Sequence, residues 1–532
     1  MKAAYPIAAG AVLSAAFGLE LLAVPTGIWR DEATSYFESS LPHLSDVLAR
    51  VRISELNPPL FFLLLHGWIS AFGGSPEAMK LLPLAWSAGA LAFAFLIARM
   101  AMDREGALLG TAFVGATSLT AHYASEIRPY ATATFFVLAA TYAIARWYAS
   151  GRGRGGIALA LGACATVALA YATYIGALFA FALVLVALSI PRPNVERLRF
   201  AAIAIVAPLA AAIPAAFLER AQAAIDPYPA VVKLSHEPLA FLLRAAQALP
   251  FTLPSPPRLV QPALGVATAF VLALVLLRSL RASYGSPHDA RAFLGFLTSS
   301  VFLSVAVAET ALGLDATRYI VPVLPLGSLA LAIGMWRFLR ARRDVAPDAT
   351  AGAITYRVSI GIVSCAVFLA AFGYLESDAQ VPKSGVPGVA SEYPARANPH
   401  LAILVAPDES AQTLAYYEGT IANLHGFYRW DRPDVYDLRG LAALIADPAV
   451  VDRAMAHIAA LPHMGITELL IVQINAPTNP VRRGAGVEYP AIEDLLRRVE
   501  ARYTYLRRSD YTASNGEAAS AFLFALRPGP GS

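Results

Sequence analysis

MKLLPLAWSAGALAFAFLIAR, residues Met79 to Arg99, is an apolar run with Lys80 near its start and an arginine at its end. At 1.5 Å per residue, a helix of this length crosses the roughly 30 Å hydrocarbon layer of a bilayer. Runs of the same character recur along the chain: Tyr5 to Val24, Gly106 to His122, Ala131 to Trp147, Ile157 to Leu169, Tyr174 to Ile190, Phe200 to Leu218, Leu259 to Arg278, Ala292 to Thr310, Ile320 to Phe338 and Val358 to Tyr374. Pro58 to Phe72 is shorter and reads either as a further crossing or as a segment that dips in without crossing. The chain therefore reads as an α-helical polytopic membrane protein with about 11–12 transmembrane helices. Its composition agrees: of 532 residues, 57% are hydrophobic and 15% charged, and mean hydropathy is +0.55. The alternation that a closed β-barrel requires is missing.

The net charge is only +4. The arginines gather between apolar runs: Arg99 with Arg104, Arg146 with Arg152 and Arg154, Arg192 with Arg197 and Arg199, Arg278 with Arg281 and Arg291, and Arg337 through Arg343. That pattern encodes membrane orientation and offers no grip on nucleic acid, so no nucleic-acid partner is expected. With Lys2 ahead of a retained first span, the N-terminus falls on the cytoplasmic side. Thr26 to Asn57, Ser125 to Pro129, Glu219 to Arg258 and Ala311 to Tyr319 then share the outer side with the C-terminal region. A full crossing by Pro58 to Phe72 would invert every later loop against the arginines. Cys164 and Cys365 lie inside apolar runs and read as small core residues, not as a disulfide or metal pair.

Near residue 376 the composition turns polar. The expected division is a membrane domain over 1–375, a Pro/Gly-rich linker over 376–399 and a soluble α/β domain over 400–532. In that domain the pattern predicts strands at Leu401 to Val405, Glu468 to Val472 and Ala521 to Leu526. Helices are predicted at Glu409 to Tyr417, Leu441 to Ala460 and Ala491 to Tyr503.

Several outer segments could carry chemistry. WRDEATS, Trp29 to Ser35, sets Asp31 and Glu32 where a span leaves the bilayer. Partial desolvation and nearby arginines would tune such a carboxylate as a general base toward a hydroxyl. The same residues also read as ordinary interfacial charges ending a span. SELNPPLFFLLLHGW, Ser54 to Trp68, opens an apolar helix with paired prolines and carries His66, which reads as a packed residue and not as a metal ligand. HYASEIRPYA, His122 to Ala131, places Glu126, Arg128 and Tyr130 on the outer side, against the positive-inside trend. LDATRYIVPVLP, Leu314 to Pro325, repeats the theme with Arg318 and Tyr319. A guanidinium fork matches a phosphate, and two outer arginines would neutralise a lipid phosphate or diphosphate; the alternative for Arg128 is a plain ion pair with Glu126. HGFYRWDRPDVYDL, His425 to Leu438, mixes aromatic and charged residues that suit either sugar contact or domain docking.

Taken in order, the W-x-DE, NPPL, E-x-RPYA and RY-x-VP-x-LP motifs resemble the GT-C superfamily of membrane glycosyltransferases. The likeness covers roughly Met1 to Tyr374 and points to the bacterial members grouped with families 39 and 83: protein O-mannosyltransferases, lipid A aminoarabinose transferases and rhizobial lipopolysaccharide galacturonosyltransferases. It implies an inverting glycosyltransferase that moves a sugar from a polyprenyl-phosphate-linked donor to a glycan, lipid or protein acceptor. It further implies a multi-pass protein of the bacterial inner membrane, surrounded by membrane lipids, with its active site and C-terminal domain on the periplasmic side. Carried over by position, Asp31 is the base, and Glu32 positions the acceptor or shares that task. Arg128 and Arg318 hold the donor phosphate, with Tyr130 and Tyr319 as further donor contacts. Asn57, beside Pro58 and Pro59, shapes the acceptor loop together with Glu126. The resemblance implies no firm cofactor and leaves a divalent metal open, since no ligand cluster stands out in the sequence. A polyprenyl-lipid transporter or flippase is the rival reading, weakened because the paired, broken-helix repeats of transporters are not seen.

Overall fold

The computed structural model describes residues 4–55, 57–150, 155–190, 198, 200, 249, 260–285, 289–311, 317–345, 348–379, 382–419, 422–430, 447–474, 488–513 and 517–528. The expected span Phe200 to Leu218, the outer segment Glu219 to Arg258, and the parts of the domain at 431–446 fall outside these residues, apart from isolated positions.

The membrane part is a helical bundle: α1 (Ala4–Leu22), α2 (Arg30–Ser39), α3 (Leu44–Ser54), α4 (Leu60–Phe72), α5 (Pro76–Ala101), α6 (Arg104–Gly115), α7 (Ser118–His122), α8 (Tyr130–Ala149), α9 (Gly156–Ala172), α10 (Ile175–Ser189), α11 (Val260–Gly285), α12 (Ala290–Ala311), α13 (Leu324–Asp344) and α14 (Ala349–Ala379). Among the described residues, six helices are long and apolar enough to cross a bilayer, and α4, α9 and α10 are shorter apolar helices. This is a multi-pass membrane protein. Helices satisfy their own backbone groups, which hydrocarbon demands. Their starts are locally encoded: Ser75 caps α5 by accepting from the Ala78 N–H, with Pro76 at its first position, and Asp103 caps α6 by accepting from the Gly106 N–H at 2.8 Å.

One expected span is corrected. Gly106 to His122 is not a single helix, because α6 ends at Gly115 and α7 starts at Ser118. Thr117 between them is extended, and its hydroxyl lies 2.7 Å from that of Ser328 on α13. A hydropathy run cannot register such a break. At Gly115 a Cβ would stand 2.2 Å from that of Ala16, so α1 packs here at a distance only glycine permits. The cysteines are corrected too: both are free and exposed on the bundle exterior. A lipid-facing helix side is as apolar as a core, and sequence does not separate the two.

Within the stretch expected as a linker, α14 runs on to Ala379 and a short helix, α15 (Val386–Glu392), is already packed on the C-terminal domain. That domain contains β1 (Leu401–Ala406), α16 (Ala411–Glu418), β2 (Leu424–Gly426), α17 (Val450–Ala460), β3 (Glu468–Ile474), α18 (Glu488–Arg502), β4 (Tyr503–Tyr511) and β5 (Ala519–Pro528). The sheet order is β2-β1-β3-β5-β4, parallel through β2, β1 and β3 and antiparallel at β5 and β4. Alternate residues of β1 serve opposite cores: Ala402 and Leu404 pack with Ile458 and Leu495 of α17 and α18, while Ile403 and Val405 pack with Val389 and Leu414 of α15 and α16. A strand covered on both faces reads as a continuous apolar run, as LAILVA does. Strand β4 was not foreseen; its exposed, arginine-bearing sequence lies at the sheet edge and lacks an apolar face.

Candidate active site

Helix α2 begins at Trp29, which adopts an extended conformation, and carries Asp31 and Glu32 in its first turn. Glu32 folds back: its Oε2 accepts the Trp29 N–H at 3.2 Å and its Oε1 accepts the Ile127 N–H at 3.0 Å. It is fully buried, so it ties the start of α2 to the segment before α8. Burial pushes its carboxyl up, against the pull of Lys383 and Lys80.

Asp31 is held differently. Its Oδ1 meets Arg30 Nε at 3.0 Å and its Oδ2 meets Arg318 Nη1 at 3.4 Å, and its side chain keeps 15% exposure. Burial alone would raise its pKa, but Arg30, Arg128 and Arg318 together bring it down to about 2. Arg318 sits in the 3-10 turn Thr317–Val323 that leads into α13, with its guanidinium 5.4 Å from the centre of the Tyr319 ring. At 35% side-chain exposure, it is the open member of the pair.

Arg128 is sealed. Its fork grips Glu55, with Nη1 at 2.5 Å from Oε2 and Nη2 at 3.1 Å from Oε1, and both side chains are below 10% exposed. Arg128 Nη1 also donates to Ser35 Oγ at 3.3 Å, and Asn57 Nδ2 donates to Glu55 Oε1 at 3.0 Å. Arg128 is therefore not the partner of Glu126. Glu126 Oε2 faces Lys383 Nζ at 3.5 Å. Lys80 Nζ donates to the carbonyls of Pro25 (2.6 Å) and Gly27, holding the segment ahead of α2. Tyr130 is buried edge-on to Tyr123, with ring centres 4.9 Å apart.

The structure thus brings Asp31, Glu32, Arg128, Arg318, Tyr319 and Asn57 around the first turns of α2, with Tyr130 buried beside Arg318 and Glu126 buried against Lys383. Glu55 was missed, although an acidic residue inside the quoted SELNPP stretch, opposite an outer arginine, is the signal that finds it. Lys80, Lys383 and Glu517 were also missed. His66 Nδ1 lies 2.9 Å from the Ser39 carbonyl, as a packed histidine would. In the C-terminal domain, Trp430 stacks with His425 (4.1 Å) and with His457 (4.7 Å), so its aromatic surface is engaged within the domain. Among the described residues no three His, Cys, Asp or Glu side chains converge as metal ligands. Asp31 is engaged by arginines and Glu32 by backbone N–H groups. An apolar groove of about 400 Å³ lies between Leu60 of α4 and Cys164, Val167 and Tyr171 of α9.

Compared by sequence, the chain matches no family model and no curated protein. By structure it is similar to ArnT from Cupriavidus metallidurans in the apo state (TM-score 0.58, 13% identity, 96% of this chain and 97% of that one). It is similar as well to ArnT bound to undecaprenyl phosphate (0.55, 13%, 97% of each). A third similar structure is the archaeal oligosaccharyltransferase AglB from Archaeoglobus fulgidus, in complex with an inhibitory peptide and a dolichol-phosphate (0.53, 11%, 98% of this chain and 74% of that one). These are GT-C superfamily members, and the fold of this chain is the GT-C fold.

Proposed function

We propose that this protein is an inverting glycosyltransferase that moves a sugar from a polyprenyl-phosphate donor to a hydroxyl of a glycan, lipid or protein acceptor. The observation that carries the reading is the Asp31–Arg318 pair: a carboxylate fixed on a rigid helix turn, joined to an arginine that is still open to a ligand. The similar ArnT structure holds undecaprenyl phosphate and the AglB structure a dolichol-phosphate, which supports a lipid phosphate as the donor's leaving group. In this reading the polyprenyl chain enters from the bilayer along the apolar groove, and Arg318, backed by Tyr319, takes the phosphate. Arg128 adds its charge from behind, held by Glu55.

As Arg318 turns to the phosphate, Asp31 loses one of the cations that depress its pKa and becomes a better base. The acceptor oxygen attacks the anomeric carbon from the face opposite the phosphate, and its proton passes to Asp31. The carbon–oxygen bond to the phosphate breaks, and polyprenyl phosphate leaves with the electron pair, stabilised by the arginines. We assign the protein to the bacterial inner membrane, with this site and the C-terminal domain on the periplasmic face, because the arginine clusters gather on the opposite side.

The test is release of polyprenyl phosphate by purified protein in lipid, from a panel of radiolabelled polyprenyl-phosphate sugars with candidate acceptors. Wild-type protein releases it, and Asp31→Asn loses roughly 10²- to 10⁴-fold in turnover while still binding donor. Absence of release across the panel, or near-normal release by Asp31→Asn, overturns the assignment.

A further inference from the structure

Helix α2 has two working faces. Asp31, Ser35 and Glu38, spaced at i, i+4 and i+7, meet Arg318, Arg128 and Ser54 of the membrane part. Arg30, Thr34 and Phe37 have the same spacing one position earlier, and all three meet the C-terminal domain. The Arg30 N–H donates to Glu517 Oε2 at 3.2 Å, the Thr34 hydroxyl donates to Gln412 Oε1 at 2.7 Å, and Phe37 packs against a core of the domain. Just ahead of the helix, the Ile28 N–H donates to the Tyr417 hydroxyl at 2.6 Å. Gly27 there has φ +68°, and a Cβ on it would lie 2.5 Å from that hydroxyl.

Glu517 is buried within the domain and accepts from Ser410 Oγ at 2.6 Å and Thr413 Oγ1 at 3.3 Å. Its backbone bridges Ser384, and its carbonyl accepts the Gly385 N–H at 3.0 Å. The residue before that bridge is Lys383, which reaches Glu126. One backbone crossing of the C-terminal domain therefore delivers a carboxyl acceptor to the N-terminus of α2 and a cation to the segment that Glu32 binds. The chemistry at each end matches: an acceptor for a first-turn N–H that no helical carbonyl reaches, and an ammonium between buried carboxylates.

We infer that the C-terminal domain is a working part of the active site, with Glu517 as the positioning residue that fixes the first turn of α2 and so aims Asp31 at Arg318 and the acceptor. On that face Glu517 meets the first N–H of α2, one residue before Asp31, while Tyr417 and Gln412 hold Ile28 and Thr34 to either side. A shift of its turn by about 1 Å would cost roughly a hundredfold in rate without touching the groups that bind donor. The catalytic half of this inference rests on the glycosyltransferase reading; the structural half does not.

The experiment uses full-length protein in lipid nanodiscs and two readouts. Amide hydrogen exchange is followed over residues 28–36, with Leu469 to Val472 of β3 as a control for the domain's fold. Release of polyprenyl phosphate from radiolabelled polyprenyl-phosphate sugars gives kcat and KM. Glu517→Ala should speed exchange over 28–36 about tenfold, leave β3 protected, and lower kcat roughly ten- to hundredfold at unchanged KM. Glu517→Gln keeps an acceptor for the Arg30 N–H and should restore most of both. Should Glu517→Ala also open β3, Tyr417→Phe takes its place, since it removes only the hydroxyl that holds Ile28; it should speed exchange over 28–36 and lower kcat in the same sense. Unchanged exchange over 28–36 with β3 intact, or faster exchange with unchanged kcat, overturns the inference. If wild-type protein releases nothing, the enzymatic reading falls, and the exchange data alone decide whether the domain fixes the helix.

Discussion

Arg128 and Arg318 look alike in the sequence: each precedes a tyrosine-bearing helix start on the same expected side of the membrane. In the folded chain they differ. Arg128 is gripped by both oxygens of Glu55 and is below 10% exposed, whereas Arg318 makes one 3.4 Å contact with Asp31 and keeps a third of its side chain open. A buried bidentate pair is costly to break and holds the loops together. A partly exposed ion pair contributes less to stability and can be exchanged for a ligand. The two arginines thus differ in how firmly they are held, and the difference is set by whether a carboxylate stands opposite with matching geometry; in the proposed reading it divides them between holding the site and working in it.

Breaking that contrast is straightforward. Arg128→Ala takes the guanidinium away from the buried Glu55 carboxyl, and should destabilise the protein by about 3–5 kcal/mol, read by denaturant unfolding in detergent. Arg318→Ala should change unfolding by about 1 kcal/mol or less. Its effect falls on donor affinity, where loss of a charge-assisted bond of about 1.5–3 kcal/mol raises the donor KM roughly ten- to hundredfold. Arg318→Lys keeps the charge without the fork and should lie between wild type and alanine. Equal destabilisation by the two alanine variants would remove the division of roles.

The membrane fold was legible because long apolar runs have few physical alternatives, and the order of the motifs pointed to the outer loops. The α6–α7 break and the lipid-facing cysteines were not legible, since hydropathy averages over faces and over single-residue turns. At the site, Asp31 and Arg318 were found as charges where a span ends. The difference between Arg128 and Arg318 was not, because it depends on Glu55, which lies far from Arg128 in sequence. Lys383 and Glu517 carry no local signal at all; only the packing of the C-terminal domain onto α2 shows what they do. Strand β4 escaped because β-propensity reads apolar alternation, and an edge strand need not show it.

In one property the two arginines should still agree. Both help hold the Asp31 carboxyl down at about 2, below the ordinary 3.8, even though Arg128 meets Asp31 only through its backbone carbonyl, at 3.5 Å. A depressed carboxylate contributes stability that is complete above its ordinary pKa and lost as pH falls through the lower value. In the unliganded protein Asp31 is accordingly ionised throughout the range above about pH 4, and on the glycosyltransferase reading the acid limb of kcat/KM should lie below it. Removing either cation raises the Asp31 pKa, so the limb should move upward in both Arg128→Ala and Arg318→Ala, by about one pH unit or less, equivalent to roughly 1.4 kcal/mol. The measurement is a kcat/KM profile against pH on each variant. If only Arg318→Ala moves the limb, Glu55 has absorbed the charge of Arg128 entirely, and Arg128 acts on the reaction through structure alone. If both move it, the sealed arginine still reaches the chemistry through its field, and the line between holding and working is one of contact and not of charge.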